Sequence, residues 1–228
     1  MSTPSFTLQQ CTPSDMPRLF EIMSLAFKND HPLFTTDYQN HSTPSGRATG
    51  AKRWTAQFHS SPHSTFLKMV TPSDTIAAVA KWTFYTGTIP TLQEMLHEEG
   101  SWWDDPRDEA YVHAMMATML PNRYRAMQNA GGNIAVLELL AVDPAYQGRG
   151  AGTMLTSWGV EKADEMGVDA VVEASIAGMR TYLKQGFAVI EDIELDPGEE
   201  WKDRAKQRII WMVRKAKASE SPTEVDRL

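Results

Sequence analysis

The spacing of apolar residues along the chain switches repeatedly between the strand and helix periods. FTLQQ, near the start, predicts a short strand leading into the turn CTPSD, where Ser14 or Asp15 can cap the helix that follows. In DMPRLFEIMSLAF, Leu19, Ile22, Met23 and Phe27 recur at helical spacing, and Pro17 is tolerated in a first turn. Residues 29–65 are rich in Pro, His, Ser and Thr and predict a loop and a short helix around GRATGAKRWTAQFH. TFLKMVT and TIAAVAKWTFYTG, separated by PSD, predict an antiparallel hairpin.

Residues 88–132 break this pattern, being long, helical in composition and acidic in their first half, and are expected to form an insertion. NIAVLELLAV is almost continuously apolar, as a central strand covered on both faces must be. In AGTMLTSWGVEKADEMG a helical stripe of Met154, Leu155, Trp158 and Ala163 ends at Gly167, a C-cap residue. VDAVVEAS predicts a strand, AGMRTYLKQGF a short helix stopped by Gly186, and AVIEDIELD and QRIIWMVRKA two further strands. The order implies an α/β fold built on a mixed sheet. One domain over residues 1–216 is expected, with 217–228 a polar, disordered tail.

Composition narrows the classes. At 228 residues and 42% hydrophobic content the chain can bury its own core. A formal net charge of -7 argues against a sequence-independent nucleic-acid binder and suits a cationic or amine substrate. Cys11 is the single cysteine, so no intrachain disulfide or thiolate-rich zinc site can form, and a reducing, cytoplasmic location is expected. No apolar run reaches membrane-spanning length, and the start has no basic-then-apolar leader pattern.

The candidate chemistry lies in AVDPAYQGRGAG, where a strand ends at Asp143-Pro144 and a glycine-rich turn opens a helix near Ala151. Unpaired N–H groups at the positive end of a helix form an anion site. Two nucleotide motifs fail here. A P-loop needs Lys and Ser or Thr after its last glycine, whereas Gly152 is followed by Thr153 and Met154. The dinucleotide fingerprint needs a different glycine spacing and a parallel unit that the antiparallel strands upstream do not supply.

Gln147-x-x-Gly150-x-Gly152 resembles the acyl-CoA pyrophosphate loop of the GNAT superfamily of N-acetyltransferases. LELLAVDPAYQGRGAG is similar to the strand and loop of that family's central motif, and YLKQGF to its Tyr-x-x-x-Gly-Phe element. The insertion and the wording of the first look more like small-molecule acetyltransferases of filamentous fungi than ribosomal or histone enzymes. The resemblance implies a mixed, mostly antiparallel central sheet flanked by helices, with the helical insertion placed before the central CoA-binding strand. It implies acetyl-CoA as cosubstrate, a small-molecule amine as acceptor, direct attack in a ternary complex, and no metal.

The family's roles fall on particular positions. The amides of Gly148, Arg149, Gly150, Ala151, Gly152 and Thr153 are expected to hold the pyrophosphate, with Gln147 opening the loop. The backbone of Leu140, Ala141 and Val142 is expected to meet the pantetheine arm, and a main-chain N–H there to polarise the thioester carbonyl. Ser175 stands where many members have an Asn that contacts pantetheine. Tyr182 takes the position of a tyrosine that protonates the leaving thiolate; the alternative is a tyrosine simply packed between helix and sheet.

The base is read from the residues themselves. Glu138 amid AVLELLAV is costly to bury without a partner, and strict alternation puts it in phase with Leu140 and Val142; it is a general base or a structural hydrogen-bonding group. Glu173 is a weaker rival. Glu94, Glu98, Glu99, Asp104, Asp105, Asp108 and Glu109 have one nearby cation, Arg107, and form either a solvated face or a lure for a cationic acceptor. Trp102 and Trp103 can wall a pocket or pin the insertion, and Met115, Met116 and Met119 read as core filler. A non-catalytic acyl-CoA-binding module and a protein N-terminal or lysine acetyltransferase are the alternative functions.

Overall fold

A computed structural model describes residues 5–96, 100 and 102–217. Its strands are β1 Thr7–Gln10, β2 Ser64–Val70, β3 Ile76–Tyr85, β4 Ile134–Val142, β5 Ala170–Ala174, β6 Ala188–Leu195 and β7 Gln207–Arg214. Its helices are α1 Met16–Phe27, α2 Pro32–Asp37, α3 Pro44–Ser60, α4 Leu92–Leu96, α5 Pro106–Met119, α6 Pro121–Asn129, α7 Ala151–Met166 and α8 Met179–Leu183. The seven strands form one sheet in the order β1-β2-β3-β4-β5-β7-β6. Neighbours are antiparallel except β4 and β5. The expected mixed, mostly antiparallel sheet is therefore present, and the expected hairpin is β2–β3.

Two of the local expectations are corrected. The stretch 29–65 holds not one short helix but α2 and the 17-residue α3, begun by Thr43, whose hydroxyl accepts from the Gly46 amide, with Pro44 in the first turn. The polar residues that suggested a loop lie on an outer face, while Ala51, Arg53 and Trp54 point inward. Asp15 does not cap α1 with its side chain. Its carboxylate instead accepts from Thr12 N at 2.7 Å and from Lys68 Nζ at 2.7 Å, tying the turn to β2.

Each face of the sheet carries its own core. On one face Leu67, Ala80, Trp82, Leu137 and Met212 pack beneath Leu155 and Ala163 of α7. Gly159 allows α7 to sit that close, because a Cβ there would lie 1.9 Å from Cε2 of Trp82. On the other face Phe66, Val79, Leu139 and Ala141 meet Leu19, Phe20, Met23 and Trp54 of α1 and α3. Tyr111 and Met115 of α5 pack with Trp201 and Ile209, so the insertion is anchored to the C-terminal strands. Glu98 and Glu99, and the tail from residue 218, lie outside the described residues.

Candidate active site

The central strands part company. β4 and β5 pair only through Ala135 with Ala170 and Val136 with Val171. Beyond Val136, β4 keeps β3 on one side and leaves its other edge unpaired as far as Val142. The Asp143 amide donates to Ala77 O on the β3 side, so by alternation the main-chain groups of Leu140 and Val142 face the opened edge. The Val142 carbonyl accepts from Gln147 Nε2 at 3.1 Å, which folds the start of the glycine loop back over the strand end.

At that end the chain turns into α7. Asp143 accepts from the Ala145 amide at 2.9 Å and is paired with Arg18 of α1, which also donates to Ile76 O at 3.2 Å. Gly148 and Gly150 take φ of 73° and 90°, a region that disfavours any side chain, and a Cβ on either would meet nothing within 4 Å. No side chain caps α7 at Gly150. The first turn, Ala151 to Thr153, thus presents uncapped N–H groups to open space, which is the chemistry an anionic pyrophosphate requires. Arg149 is exposed, its guanidinium 5.5 Å from the Tyr146 ring centroid.

Ser175 follows β5, and its hydroxyl oxygen accepts from the Gly178 amide at 3.1 Å, setting the turn into α8. One turn later Tyr182 is buried between α7 and the sheet, edge-on to Phe187 at 5.8 Å. Burial pushes its pKa up, so the phenol stays protonated at neutral pH. Among the described residues no group hydrogen-bonds its hydroxyl.

Glu138 requires a correction. Lys81 pairs with Leu139 and Trp82 with Leu137, so Glu138 is the extra residue of a bulge. The bulge reverses the alternation, leaving Leu140 and Val142 against the α7 core while Leu139 and Ala141 face α1 and α3. Glu138 turns to the second face, away from Leu140 and Val142. There its carboxylate is 2.6 Å from Lys81 Nζ and accepts from Thr83 Oγ1 at 2.9 Å. Burial alone would raise its pKa. The charges of Lys81 and Arg123, with the hydrogen bonds from Lys81 and Thr83, outweigh that and hold it below the ordinary carboxylate range. Glu173, the rival, is bound in a two-pronged pair with Arg123, Nε to Oε1 at 3.0 Å.

Glu138 lies in the wall of a cavity of about 570 Å³ between β3, β4, α3 and the insertion. Tyr38, Tyr85 and Trp103 supply aromatic surface, and Met116 and Met119 face it, whereas Met115 is fully buried. Trp103 therefore walls the cavity. Burial and the Glu138 charge push the Tyr85 phenol up to about 12. The acidic run has mostly local work: Asp105 accepts from the Arg107 amide at 2.8 Å at the start of α5, and Asp108 pairs with Arg204 at 2.6 Å. Only Glu94 of that run lines the cavity among the described residues. Sequence reading missed Lys81, Thr83 and Arg123; the lysine inside the apolar AAVAKWTFY was the one visible signal.

The family model for the acetyltransferase (GNAT) family matches residues 77–187, from β3 through the glycine loop to Phe187. That stretch of the chain belongs to the GNAT acetyltransferase family. Solved structures of the same fold include a histone acetyltransferase HPA2 and related acetyltransferase from Corynebacterium glutamicum, 17% identical over 95% of this chain and 99% of that one, TM-score 0.61. Arylalkylamine N-acetyltransferase 2 from Aedes aegypti is 14% identical over 93% and 100%, TM-score 0.64. A Drosophila melanogaster polyamine N-acetyltransferase is 12% identical over 92% and 100%, TM-score 0.62. GNAT enzymes use acetyl-CoA, and the uncapped turn of α7 and the splayed β4 edge fit its pyrophosphate and amide-bearing arm. Among the described residues no group of three or more His, Cys, Asp or Glu is placed to hold a metal ion. No helix among them is long and apolar enough to cross a membrane.

Proposed function

We propose that this chain transfers an acetyl group from acetyl-CoA to the primary amine of a small molecule, by direct attack and without a covalent enzyme intermediate. The observation that carries the reading is the juxtaposition on β4. Leu140 and Val142 open their main-chain groups to the splay, and Glu138, in the adjoining bulge, faces a cavity on the other side of the sheet. Acetyl-CoA supplies the activated acetyl group. The α7 amides hold it by its phosphates, and an N–H at the splay polarises the carbonyl and stabilises the charge that builds on its oxygen.

Glu138 receives the amine's proton, directly or through water, and Tyr182 returns a proton to the departing sulfur. Cys11 is no nucleophile: burial and the Asp15 charge push its thiol up to about 12. Trp103, Met116 and Met119 of the insertion help to line a cavity of about 570 Å³, a volume that suits a small molecule. The small-amine acetyltransferases among the solved structures of this fold support the same reading. An amine-library screen with acetyl-CoA, following free thiol, tests it: binding of CoA without turnover of any amine removes the reading.

A further inference from the structure

We infer that the cavity selects a primary monoamine carried on an apolar or aromatic body and discriminates against diamines and polyamines. The inference rests on the acceptor-site reading above and names the class of molecule that site takes. Among the described residues three carboxylates, Asp37, Glu94 and Glu138, and three cations, Arg53, Lys81 and Arg123, line the cavity. Each of these carboxylates is already engaged. Glu138 is held by Lys81 and Thr83, and Asp37 by Arg53 at 2.6 Å. Glu94 is exposed at the rim and accepts from the amide and hydroxyl of Thr91 at 2.7 and 2.9 Å.

The cations are fixed as well. Arg53 is sandwiched between the Tyr38 and Trp103 rings at 4.5 and 4.7 Å, and Arg123 is neutralised by Glu173 from behind the wall. His63 and His113 also line the cavity, and neither brings negative charge in any protonation state. One ammonium can share Glu138 at the β4 end. A second, a few bonds further into the cavity, meets Tyr38, Tyr85, Trp103, Met116 and Met119 and, among the described residues, no carboxylate without a partner. Stripping water from that second charge is unfavourable when nothing replaces it, whereas an apolar or aromatic body gains by burial on the same surface. The rim carboxylate of Glu94 does not alter this, because an ion pair in open water contributes little.

The test compares two acceptors of matched length, a phenylalkylamine and an α,ω-diaminoalkane, with acetyl-CoA and the full-length protein, reading kcat/KM by thiol release. The monoamine is expected to lead by roughly tenfold or more, the size of discrimination an unpaired buried charge imposes. Met116→Glu, adding a carboxylate to the apolar wall, is expected to narrow that ratio; Met119→Glu, one turn on, is a second position if the first variant melts at assay temperature. Equal turnover or a diamine preference overturns the inference while leaving the acetyltransferase reading intact. An unchanged ratio in folded Met116→Glu and Met119→Glu proteins overturns the charge argument. Turnover of neither amine with CoA still bound removes the acceptor reading and the inference together.

Discussion

The Lys81 ammonium lies 2.6 Å from the Glu138 carboxylate, and the contact exists because a bulge gives β4 one residue more than β3 at that point. A carboxylate held this way stays ionised to lower pH than an ordinary one. Its folded pKa is depressed, so its stabilising contribution is present above the ordinary value and is lost as pH falls through the folded value. Lys81→Met removes the largest favourable charge and is expected to raise the Glu138 pKa. The acid limb of kcat should then move to higher pH, and the variant's loss of melting temperature should be largest at neutral pH and shrink in acid. Glu138→Gln should abolish that limb and depress the rate most at neutral pH, recovering in part at high pH where free amine is abundant. An acid limb identical in the parent and Lys81→Met rules out the pairing as what sets the base.

Tyr182 is a separate case, because its ring is core and only its hydroxyl is in question. Tyr182→Phe keeps the ring packed on Phe187 and removes the proton donor alone. Turnover should fall by about 10- to 1000-fold with little change in CoA affinity. Melting temperature and calorimetric CoA binding like those of the parent, together with parental turnover, would return Tyr182 to a packing role.

The glycine loop is tested with a matched control. Gly150 and Gly167 stand at opposite ends of α7, both left-handed at φ of 90° and 68°, and a Cβ on either meets nothing within 4 Å. Valine at each should therefore impose the same kind of backbone strain, roughly 1–2 kcal/mol. Gly150→Val should also weaken CoA binding strongly, since it reshapes the turn whose amides hold the pyrophosphate. Gly167→Val should lower the melting temperature alone. Equal losses of CoA affinity in the two would show that helix stability, not the loop, governs binding.

The acidic run near α5 is expected to leave acceptor binding alone. Asp104 is exposed, and Asp105 is occupied with the Arg107 amide. Asp104→Asn should not change the Michaelis constant for the amine even at low salt, where surface charge acts furthest. Asp105→Ala should lower stability by about 1 kcal/mol through loss of the cap. A rise in that constant for Asp104→Asn, abolished by salt, would restore electrostatic steering.

The parts of the molecule that sequence made legible are those where short-range rules decide. The hairpin, the central strand, the glycine turn and the Gly167 cap each follow from period and turn chemistry within a dozen residues. What escaped depends on partners far along the chain. Glu138 obeys strict alternation in sequence and breaks it in the sheet, because a bulge is a property of two paired strands rather than one. Arg123 and Glu173 are 50 residues apart, and neither carries a sign of the other. The helix expected around GRATGAKRWTAQFH is present as α3, but α2 before it escaped, a six-residue helix too short to show a periodic stripe.

Arg18 provides the last test, because it joins α1 to the turn that launches the glycine loop. Its guanidinium binds the Asp143 carboxylate and the Ile76 carbonyl, and Asp143 in turn holds the Ala145 amide at 2.9 Å. Asp143 is 7% exposed, so without Arg18 it loses the partner that compensates its burial and can rotate off Ala145 toward water. The loop would then start from a shifted anchor, while Glu138 and Tyr182, on other elements, stay in place. Arg18→Met is accordingly expected to raise the Michaelis constant for acetyl-CoA by roughly three- to thirtyfold with kcat nearly unchanged, the signature of misplaced binding groups rather than lost chemistry. Arg18→Lys keeps the charge but cannot serve Asp143 and Ile76 together, and should recover part of the loss. A lower melting temperature with an unaltered constant for acetyl-CoA would reduce Arg18 to a structural brace.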